Sequence, residues 1–522
     1  MKRVLPGLLT AALLTLSPVL SAAAEDKPAA EAPKKTEKAE KGEAPKAEAS
    51  VTSHAVTIGG SPVAYTATAG TLIVRNEKDE PWASMGFVSY VKKDLGDPGK
   101  RPVTFAYNGG PGSSSVWLHM GVLGPKRIVV SDSSPTPPPP YRLVDNTFSV
   151  LDRTDLVLID PVGTGLSRAA GDAKEKDFWG VDPDIDSVSR FIRQWVTENG
   201  RWNSPKYLLG ESYGTTRSAG VVDALQTRYG MSFNGVILVS VALDLEAIFS
   251  VPGNDRPFPL FLPTYAATAW YHKALPNRPE KLEPFLDEVR SYALGPYTAA
   301  LMKGDALSPA ERAAVIRRLH DYTGLSEDYL DKADLRVRQS QFTQELLRTH
   351  KGTVGRLDSR FTGPTLDALA EDAGYDPQSA AISHAYTAGF LQYYTGDLKA
   401  PTGRTYAITN YDIARAWDPK HKTPGAPQLF SWPTLPNTGL DLAHALKYNA
   451  DLRVLVLNGL FDLATPFLAT EYMVSHLGLP SDLRGHIEMK YYPAGHMMYI
   501  QESSLTQFKA DVSEFLDRTS RR

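Results

Sequence analysis

Residues 206–214 read KYLLGESYG, and this stretch decides the fold. A short apolar run leads into a G-x-S-x-G turn, and a helix-like stretch through Val221, Val222 and Leu225 follows. A serine in a tight strand-to-helix turn needs very small neighbours, because its hydroxyl must stand exposed above the sheet. A bare G-x-S-x-G also occurs by chance in glycine-flanked loops, but the flanking strand and helix favour the catalytic interpretation. The pattern therefore predicts Ser212 as a nucleophile.

The remaining periodicity predicts an α/β protein around this turn. Residues 103–107 and 156–159 are short apolar runs of the kind that is buried on both faces of a parallel sheet. Residues 182–196 place apolar side chains at helical spacing, with Asp182 as the expected cap. Residues 51–91 alternate between apolar and polar and predict antiparallel hairpins. We expect a central, mostly parallel sheet with antiparallel strands at its N-terminal side.

A serine hydroxyl needs a base to take its proton, so a carboxylate and a histidine are expected downstream in that order. Asp462 follows the strand-like residues 452–457 in the motif NGLFD, and His496 follows residues 487–492 in PAGHMM. Both side chains lie just after strands, where α/β sheets place their chemistry. The other histidines lie in helix-like, loop or N-terminal contexts. The order predicts Ser212, Asp462 and His496 as a catalytic triad.

A donor pair for a negatively charged oxygen is expected at residues 108–115, which read NGGPGSSS directly after the strand that ends at Tyr107. Glycines let backbone N–H groups approach a substrate closely. A phosphate-binding loop is disfavoured, because no Lys-Ser/Thr pair closes the loop and no G-x-G-x-x-G is present. The loop is therefore interpreted as part of an oxyanion hole.

Five motifs together resemble the serine carboxypeptidase family. They occur in the family's order between residues 108 and 498: NGGPGSSS, DPVGTGLS at residues 160–167, GESYG, NGLFD and GHMM. Prolyl aminopeptidases share a Gly-Gly-Pro-Gly loop, but usually with His before it and Trp after the serine. Asn108 and Tyr213 stand at those places here. The resemblance implies an α/β-hydrolase fold and a carboxypeptidase that acts on peptides.

The resemblance also assigns roles beyond the triad. It implies that the backbone N–H groups of Gly110 and Tyr213 form the oxyanion hole. It further implies that Asn108 and Glu211 bind the C-terminal carboxylate of a peptide substrate. An ionised Glu211 would repel that carboxylate, whereas a protonated one donates a hydrogen bond, so we expect an acidic pH optimum. Alternatively, the Glu211 carboxylate only satisfies nearby donors in the turn.

The chain departs from the family pattern at three positions. Counted without gaps, the second Glu of the family's acid pair falls at Val122. Losing a like charge lowers the pKa of Glu211 and an apolar neighbour raises it, so the sequence leaves the direction open. A weaker preference for free carboxylates would favour an exported esterase or acyltransferase with the same triad, and a catalytically idle peptide-binding module is a further alternative. Ala106 stands where the family has tryptophan, and Ser113 replaces its cysteine.

About two hundred residues separate the strand-like residues 235–239 from the strand near residue 452, too many for one crossover. The capping box at residues 308–311 and helical patterns near residues 329–347 and 380–394 predict a mainly helical cap. Three aromatic residues of the cap are candidates for lining the cleft, or alternatively for the core of the cap: Phe390, Tyr393 and Tyr394.

The composition excludes several classes of function. The chain has 522 residues, and 56 basic against 59 acidic side chains give a net charge of −3, which disfavours a nucleic-acid partner. Hydrophobic residues make up 42% of the chain, enough for a large core. The absence of cysteine excludes disulfides, thiolate metal sites and a cysteine nucleophile. No close metal-ligand spacing is present, so we expect no metal and no cofactor.

The N-terminal residues predict export. Residues 1–24 combine a cationic start, an interrupted apolar run and an A-x-A pattern, as in a signal peptide cleaved after Ala24. Residues 25–50 are built almost wholly from Ala, Glu, Lys and Pro and predict a disordered linker. No stable membrane insertion is expected, and the location is periplasmic or extracellular. The remaining predicted boundaries are a hydrolase core over residues 51–245 and 441–522, interrupted by the cap at 246–440.

Overall fold

The structure is a computed structural model that describes residues 46–93, 96–425 and 435–520. The predicted signal peptide and the linker up to residue 45 lie outside the described residues. Within them, the strands are β1 Ala49–Ile58, β2 Ser61–Arg75, β3 Pro81–Lys92, β4 Val103–Tyr107, β5 Lys126–Val129, β6 Arg142–Asp145, β7 Asp155–Ile159, β8 Arg168–Ala169, β9 Lys206–Ser212, β10 Gly235–Val241, β11 Gly352–Val354, β12 Thr362–Pro364, β13 Arg453–Gly459 and β14 Ile487–Tyr492.

Most of the described helices, α4 to α12, lie in the long connection between β10 and β13. In the described part of the chain they are α1 Val116–Leu118, α2 Val181–Glu198, α3 Tyr213–Tyr229, α4 Pro257–Tyr271, α5 Leu282–Tyr292, α6 Thr298–Lys303, α7 Pro309–Thr323, α8 Glu327–Lys332, α9 Gln339–Glu345, α10 Pro377–Gly396, α11 Tyr411–Arg415, α12 Gly439–Tyr448, α13 Phe467–Ser475, α14 Ser481–Arg484 and α15 Glu502–Ser520. None of these described helices is long and apolar enough to cross a bilayer.

One large sheet positions the site. Its strand order is β1-β2-β3-β7-β4-β9-β10-β13-β14, and β8 pairs with β3. The strands from β7 to β14 in this order run parallel, whereas β1, β2 and β3 pair antiparallel. The predicted α/β-hydrolase architecture is therefore confirmed. The carboxyl ends of β4, β9, β13 and β14 lie along one edge of the sheet, as parallel pairing requires.

Two boundaries differ from the predictions. Ala49 and Ser50, assigned to the linker, belong to β1 because they pair with Gly70 and Ala69 of β2. The helix α2 begins after the N-cap Gly180, and Asp182 lies inside its first turn. The carboxylate of Asp182 accepts no capping bond, because it contacts His421 Nδ1 at 2.7 Å instead.

Both faces of the sheet are covered, so the central strands are buried on both sides. Phe105 of β4 contacts Trp195 of α2 edge to face, with ring centroids 5.5 Å apart. Tyr207 of β9 contacts Phe515 of α15 in the same geometry at 6.2 Å. This two-sided burial explains why the strands read as continuous apolar runs.

The connection between β10 and β13 is mainly helical, with the short β11–β12 pair as its described sheet. The helical pattern near residues 329–347 is interrupted, because Asp334 and Leu335 adopt positive φ angles of 50° and 64° between α8 and α9. The long helix α10 is capped by Asp376, whose side chain accepts a hydrogen bond from the Ser379 N–H. This helix and the segment that precedes it contribute to the site.

Candidate active site

Ser212 lies at the turn between β9 and α3. Its backbone has φ 61° and ψ −129°, a conformation that costs a non-glycine residue roughly 1–3 kcal/mol. The flanking glycines permit the turn. A Cβ atom on Gly210 would lie 2.1 Å from the carbonyl oxygen of Gly214, and one on Gly214 would lie 2.9 Å from that of Tyr107. The close packing of β4, β9 and α3 therefore demands glycine on both sides of the serine.

Asp462 and His496 follow β13 and β14 and contact each other. His496 Nδ1 lies 2.7 Å from Asp462 Oδ2, and both residues are buried. The other carboxylate oxygen accepts hydrogen bonds from the N–H groups of Ala464 and Thr465. Burial acts to lower the pKa of His496, but the Asp462 carboxylate outweighs it and the net pKa is raised. The contact holds Nδ1 and leaves Nε2 for proton transfer.

One cavity brings together predicted residues from distant parts of the chain. Its volume is about 660 Å³. The predicted site residues that line it are Asn108, Gly110, Glu211, Ser212 and His496. The fully buried Asp462 reaches this cavity only through the imidazole that it holds. The predicted nucleophile and base thus face one shared space at the carboxyl edge of the sheet.

The glycine-rich loop after β4 packs directly against the start of α3. A Cβ atom on Gly109 would lie 2.4 Å from the Tyr213 nitrogen, and Gly110 has a positive φ of 107°. The Tyr213 amide opens α3, and the first N–H groups of a helix have no intrahelical partner. The loop and the helix start together offer the kind of backbone donors that stabilise a negatively charged oxygen.

Glu211 is buried in a hydrogen-bond network beside Ser212. Asn108 Nδ2 donates to one carboxylate oxygen at 2.8 Å, and the Tyr499 hydroxyl donates to the other at 2.6 Å. The side-chain oxygen of Asn108 in turn accepts from the Leu118 N–H at 3.0 Å. Burial raises the pKa of Glu211 from 4.5 to about 7, although both donors favour the ionised form. The structure thus decides a direction that the sequence left open.

Tyr499 is a residue of the candidate site that the sequence motifs did not indicate. Val122 is fully buried in the π-helical turn His119–Leu123, and the Tyr499 hydroxyl is the group that contacts the second oxygen of Glu211. Gly121 makes room for this ring, since a Cβ atom there would lie 2.3 Å from Tyr499 Cε2. The residue follows GHMM directly, and that position next to a motif was the available signal.

Two buried acidic residues hold the loops around the cavity. Arg217 of α3 pairs with Asp184 of α2 at 2.8 Å and donates to the Asn108 carbonyl oxygen at 2.8 Å. Asp160, from the DPVGTGLS motif, accepts hydrogen bonds from the N–H and hydroxyl of Ser115 and from the Tyr406 hydroxyl. Burial raises the pKa of Asp160 to about 6. Both groups position the glycine-rich loop through its backbone and side chains.

A segment of the cap, residues 356–361, is hydrogen-bonded to both loops that carry Asp462 and His496. The His496 N–H donates to the Leu357 carbonyl oxygen at 2.7 Å, and the Gly495 N–H donates to Asp358 Oδ2 at 3.1 Å. Asp358 is buried and pairs with Arg360 at 2.6 Å. We therefore regard Asp358 as a positioning residue for the histidine loop.

The aromatic residues singled out in the cap belong to its core. Phe390 stacks on Tyr394 with ring centroids 5.0 Å apart, and the Tyr393 hydroxyl lies 3.1 Å from that of Tyr90. All three are buried, and none of them lines the cavity that Ser212 and His496 share. The side chains of α10 that do line the cavity are Ser379, Ile382, Ser383 and Thr387. Helix α10 thus presents three hydroxyl groups and one isoleucine to the cavity.

The described residues contain no group of three or more His, Cys, Asp or Glu side chains arranged to hold a metal ion.

Residues 65–229 match the serine carboxypeptidase family. No curated protein matches the chain. Among solved structures, the chain is similar to Kex1(Δ)p, a prohormone-processing carboxypeptidase from Saccharomyces cerevisiae, with 14% identity, coverage of 87% of this chain and 91% of that chain, and a TM-score of 0.55. A proline iminopeptidase from Mycobacterium smegmatis has 15% identity, coverage of 90% and 99%, and a TM-score of 0.36.

The matched family segment contains the glycine-rich loop, Glu211 and Ser212, and it ends before Asp462 and His496. The similarity to Kex1(Δ)p extends over most of both chains and, at this identity, shows the fold. The chain is therefore a serine hydrolase of the α/β-hydrolase fold whose residues 65–229 match the serine carboxypeptidase family.

Proposed function

We propose that this protein is a serine-type carboxypeptidase that releases C-terminal residues from peptides through an acyl-enzyme at Ser212. The observation that carries the proposal is the buried network of Asn108, Glu211 and Tyr499 in the wall of the cavity that Ser212 and His496 share. A neutral carboxyl group next to the nucleophile suits recognition of a free carboxylate. An ordinary esterase has no need for such a group.

In the proposed mechanism, His496 takes the proton of the Ser212 hydroxyl, and the serine oxygen attacks the scissile carbonyl carbon. Asp462 orients the imidazole and stabilises the imidazolium that forms. The N–H groups of Gly110 and Tyr213 donate to the oxyanion, and each such donor contributes roughly 3 kcal/mol in comparable sites. His496 then protonates the leaving amine, and a water molecule activated by the same base hydrolyses the acyl-enzyme.

The substrate's terminal carboxylate is proposed to accept hydrogen bonds from Asn108 and from protonated Glu211. Because the pKa of Glu211 is raised to about 7, the donating form prevails below that pH and disappears above it. His496 must be neutral to act as a base, and its raised pKa sets the acidic limb of activity. We therefore expect a bell-shaped profile that declines above pH 7.

We further propose that the protein is exported, because residues 1–24 have the charge and hydropathy pattern of a signal peptide. Intact-mass measurement of the protein recovered from the periplasm or medium checks this. The expected mature chain begins at Glu25. A cytoplasmic protein that retains Met1 or Lys2 contradicts the proposal.

The proposed activity is tested with one N-blocked dipeptide prepared as the free acid, the C-terminal amide and the C-terminal ester. Between pH 5 and pH 7 the acid is expected to be the best peptide substrate, and Ser212→Ala is expected to abolish turnover. Efficient ester hydrolysis with no preference for the free acid at any pH would instead support an esterase or acyltransferase. The departure at Val122 makes that second candidate worth measuring in parallel.

A further inference from the structure

A single arginine stands out among the residues that line the catalytic cavity. Arg356 lies in the cap segment that clasps the catalytic loops, and its side chain is exposed. Within the described residues, the structure gives its guanidinium no ion pair and no hydrogen bond. Among the described residues, the one carboxyl group that lines the cavity is that of Glu211. It accepts hydrogen bonds from Asn108 and Tyr499 and makes none with Arg356. The charge of Arg356 therefore faces the cavity without an internal counterion.

The backbone of Arg356 is tightly fixed beside the reacting groups. Its N–H donates to Asp376 Oδ2 at 2.6 Å, and its carbonyl oxygen accepts from the Leu463 N–H at 3.0 Å. The next residue, Leu357, accepts the hydrogen bond from the His496 N–H. Arg356 thus lies next to the loops of Asp462 and His496, and only its side chain is free to move. A fixed backbone with a free cationic side chain is suited to binding a ligand.

We propose that Arg356 binds an acidic side chain of the peptide next to the scissile bond, so that the enzyme favours substrates with Asp or Glu at that place. This inference rests on the proposed carboxypeptidase function. Guanidinium and carboxylate groups match in geometry and form paired hydrogen bonds. Among the described residues, the cap contributes no acidic side chain to the lining of the cavity; Ser379, Ser383 and Thr387 of α10, for example, are neutral.

The test compares blocked dipeptide acids that differ only in Glu against Gln, placed either before or after the scissile bond. At pH 6 the wild-type enzyme is expected to prefer Glu over Gln by about five- to tenfold in kcat/KM at one of the two positions. Arg356→Gln is expected to bring that ratio close to one. Arg356→Glu is expected to reverse it and to favour Lys at the same position.

A matched control is Arg142→Gln, since Arg142 is an exposed arginine of β6 that does not line the cavity. This variant is expected to keep the wild-type ratio. The charge of Arg356 also lowers the pKa of His496, after the larger effects of burial and of the Asp462 and Glu211 carboxylates. A changed pKa of His496 alters kcat/KM for the Glu and Gln peptides by the same factor. It therefore cancels in the ratio of the two kcat/KM values.

Three outcomes overturn the inference. Equal hydrolysis of the Glu and Gln peptides by the wild-type enzyme refutes it, while hydrolysis of both leaves the proposed function standing. A loss of the preference for acids over amides in Arg356→Gln, with an unchanged Glu-to-Gln ratio, assigns the arginine to the terminal carboxylate instead. Failure to hydrolyse any peptide acid, with esters still cleaved, refutes the proposed function and this inference together.

Discussion

Replacing Glu211 by Gln isolates the ionisation on which substrate binding is proposed to depend. The amide oxygen of Gln still accepts from Asn108 Nδ2, and its amide nitrogen donates to the Tyr499 oxygen, which then acts as acceptor. The second amide hydrogen remains available to a substrate carboxylate. Glu211→Gln therefore mimics the protonated wild-type side chain at every pH.

The magnitude follows from the pKa of Glu211, which burial raises from 4.5 to about 7. If only the protonated form binds the terminal carboxylate, the ratio of the wild-type kcat/KM to that of Glu211→Gln falls about tenfold per pH unit above that value, or about a hundredfold between pH 6 and pH 9. The titration of His496 affects both enzymes and cancels in this ratio. Glu211→Gln is expected to lose this alkaline limb and to keep the acidic limb that His496 sets. At pH 6 the variant is expected to stay within about tenfold of the wild type.

Glu211→Gln is also expected to change how the free energy of unfolding depends on pH. Between pH 4.5 and about 7 the folded state retains a proton on Glu211 that the unfolded state has released, so the free energy of unfolding falls as pH rises. The loss amounts to ~3 kcal/mol across this window at ~1.4 kcal/mol per pH unit, and it stays constant above it. Glu211→Gln removes this loss, so its advantage over the wild type grows from pH 4.5 to pH 7.

Two assays check the reasoning. The pH dependence of kcat/KM is measured on a blocked dipeptide acid, and urea denaturation is followed at pH 4.5, 6 and 8. Glu280→Gln serves as the control, because Glu280 is an exposed carboxyl group away from the cavity. An alkaline limb near pH 7 that persists in Glu211→Gln would assign the titration to another group and refute the argument.

The remaining predictions concern the neighbours of these groups. Asp462→Asn is expected to lower kcat by about 10⁴-fold, because the imidazole of His496 loses its orienting acceptor; steady-state kinetics check this, and a loss below tenfold contradicts it. Tyr499→Phe removes a donor that favours ionised Glu211, so the alkaline limb of kcat/KM is expected to move to higher pH; an unmoved limb would show that the hydroxyl does not act on this ionisation. Asp358→Asn leaves the buried guanidinium of Arg360 with only the half-exposed Asp132 as a carboxylate partner, and it is expected to lower the free energy of unfolding by about 3 kcal/mol, as urea denaturation would show. A stability within 0.5 kcal/mol of the wild type would argue against that pairing.

Local patterns explain how far the fold was predictable. The tight turn around Ser212 imposes glycine on both sides for steric reasons, so the motif carries its own structural evidence. Short apolar runs predicted strands β4, β7 and β9 because both faces of these strands are buried. The helix predicted near residues 329–347 is interrupted at Asp334, which has a positive φ angle. No glycine or proline at that place indicates the interruption in the sequence. The predicted cap Asp182 was misplaced, since α2 begins after Gly180 and the Asp182 carboxylate contacts the distant His421.

The sequence by itself determined the order of the chemical groups, the residue types around the turn and the strand ends that carry Asp462 and His496. The three-dimensional arrangement decided which distant groups meet: the Tyr499 hydroxyl on Glu211, the Asp358 clasp on the histidine loop and the exposed Arg356 in the cavity. It also decided the direction of the Glu211 pKa. Turns and strands are set by neighbours in the chain, whereas burial and long-range contacts depend on packing between segments hundreds of residues apart.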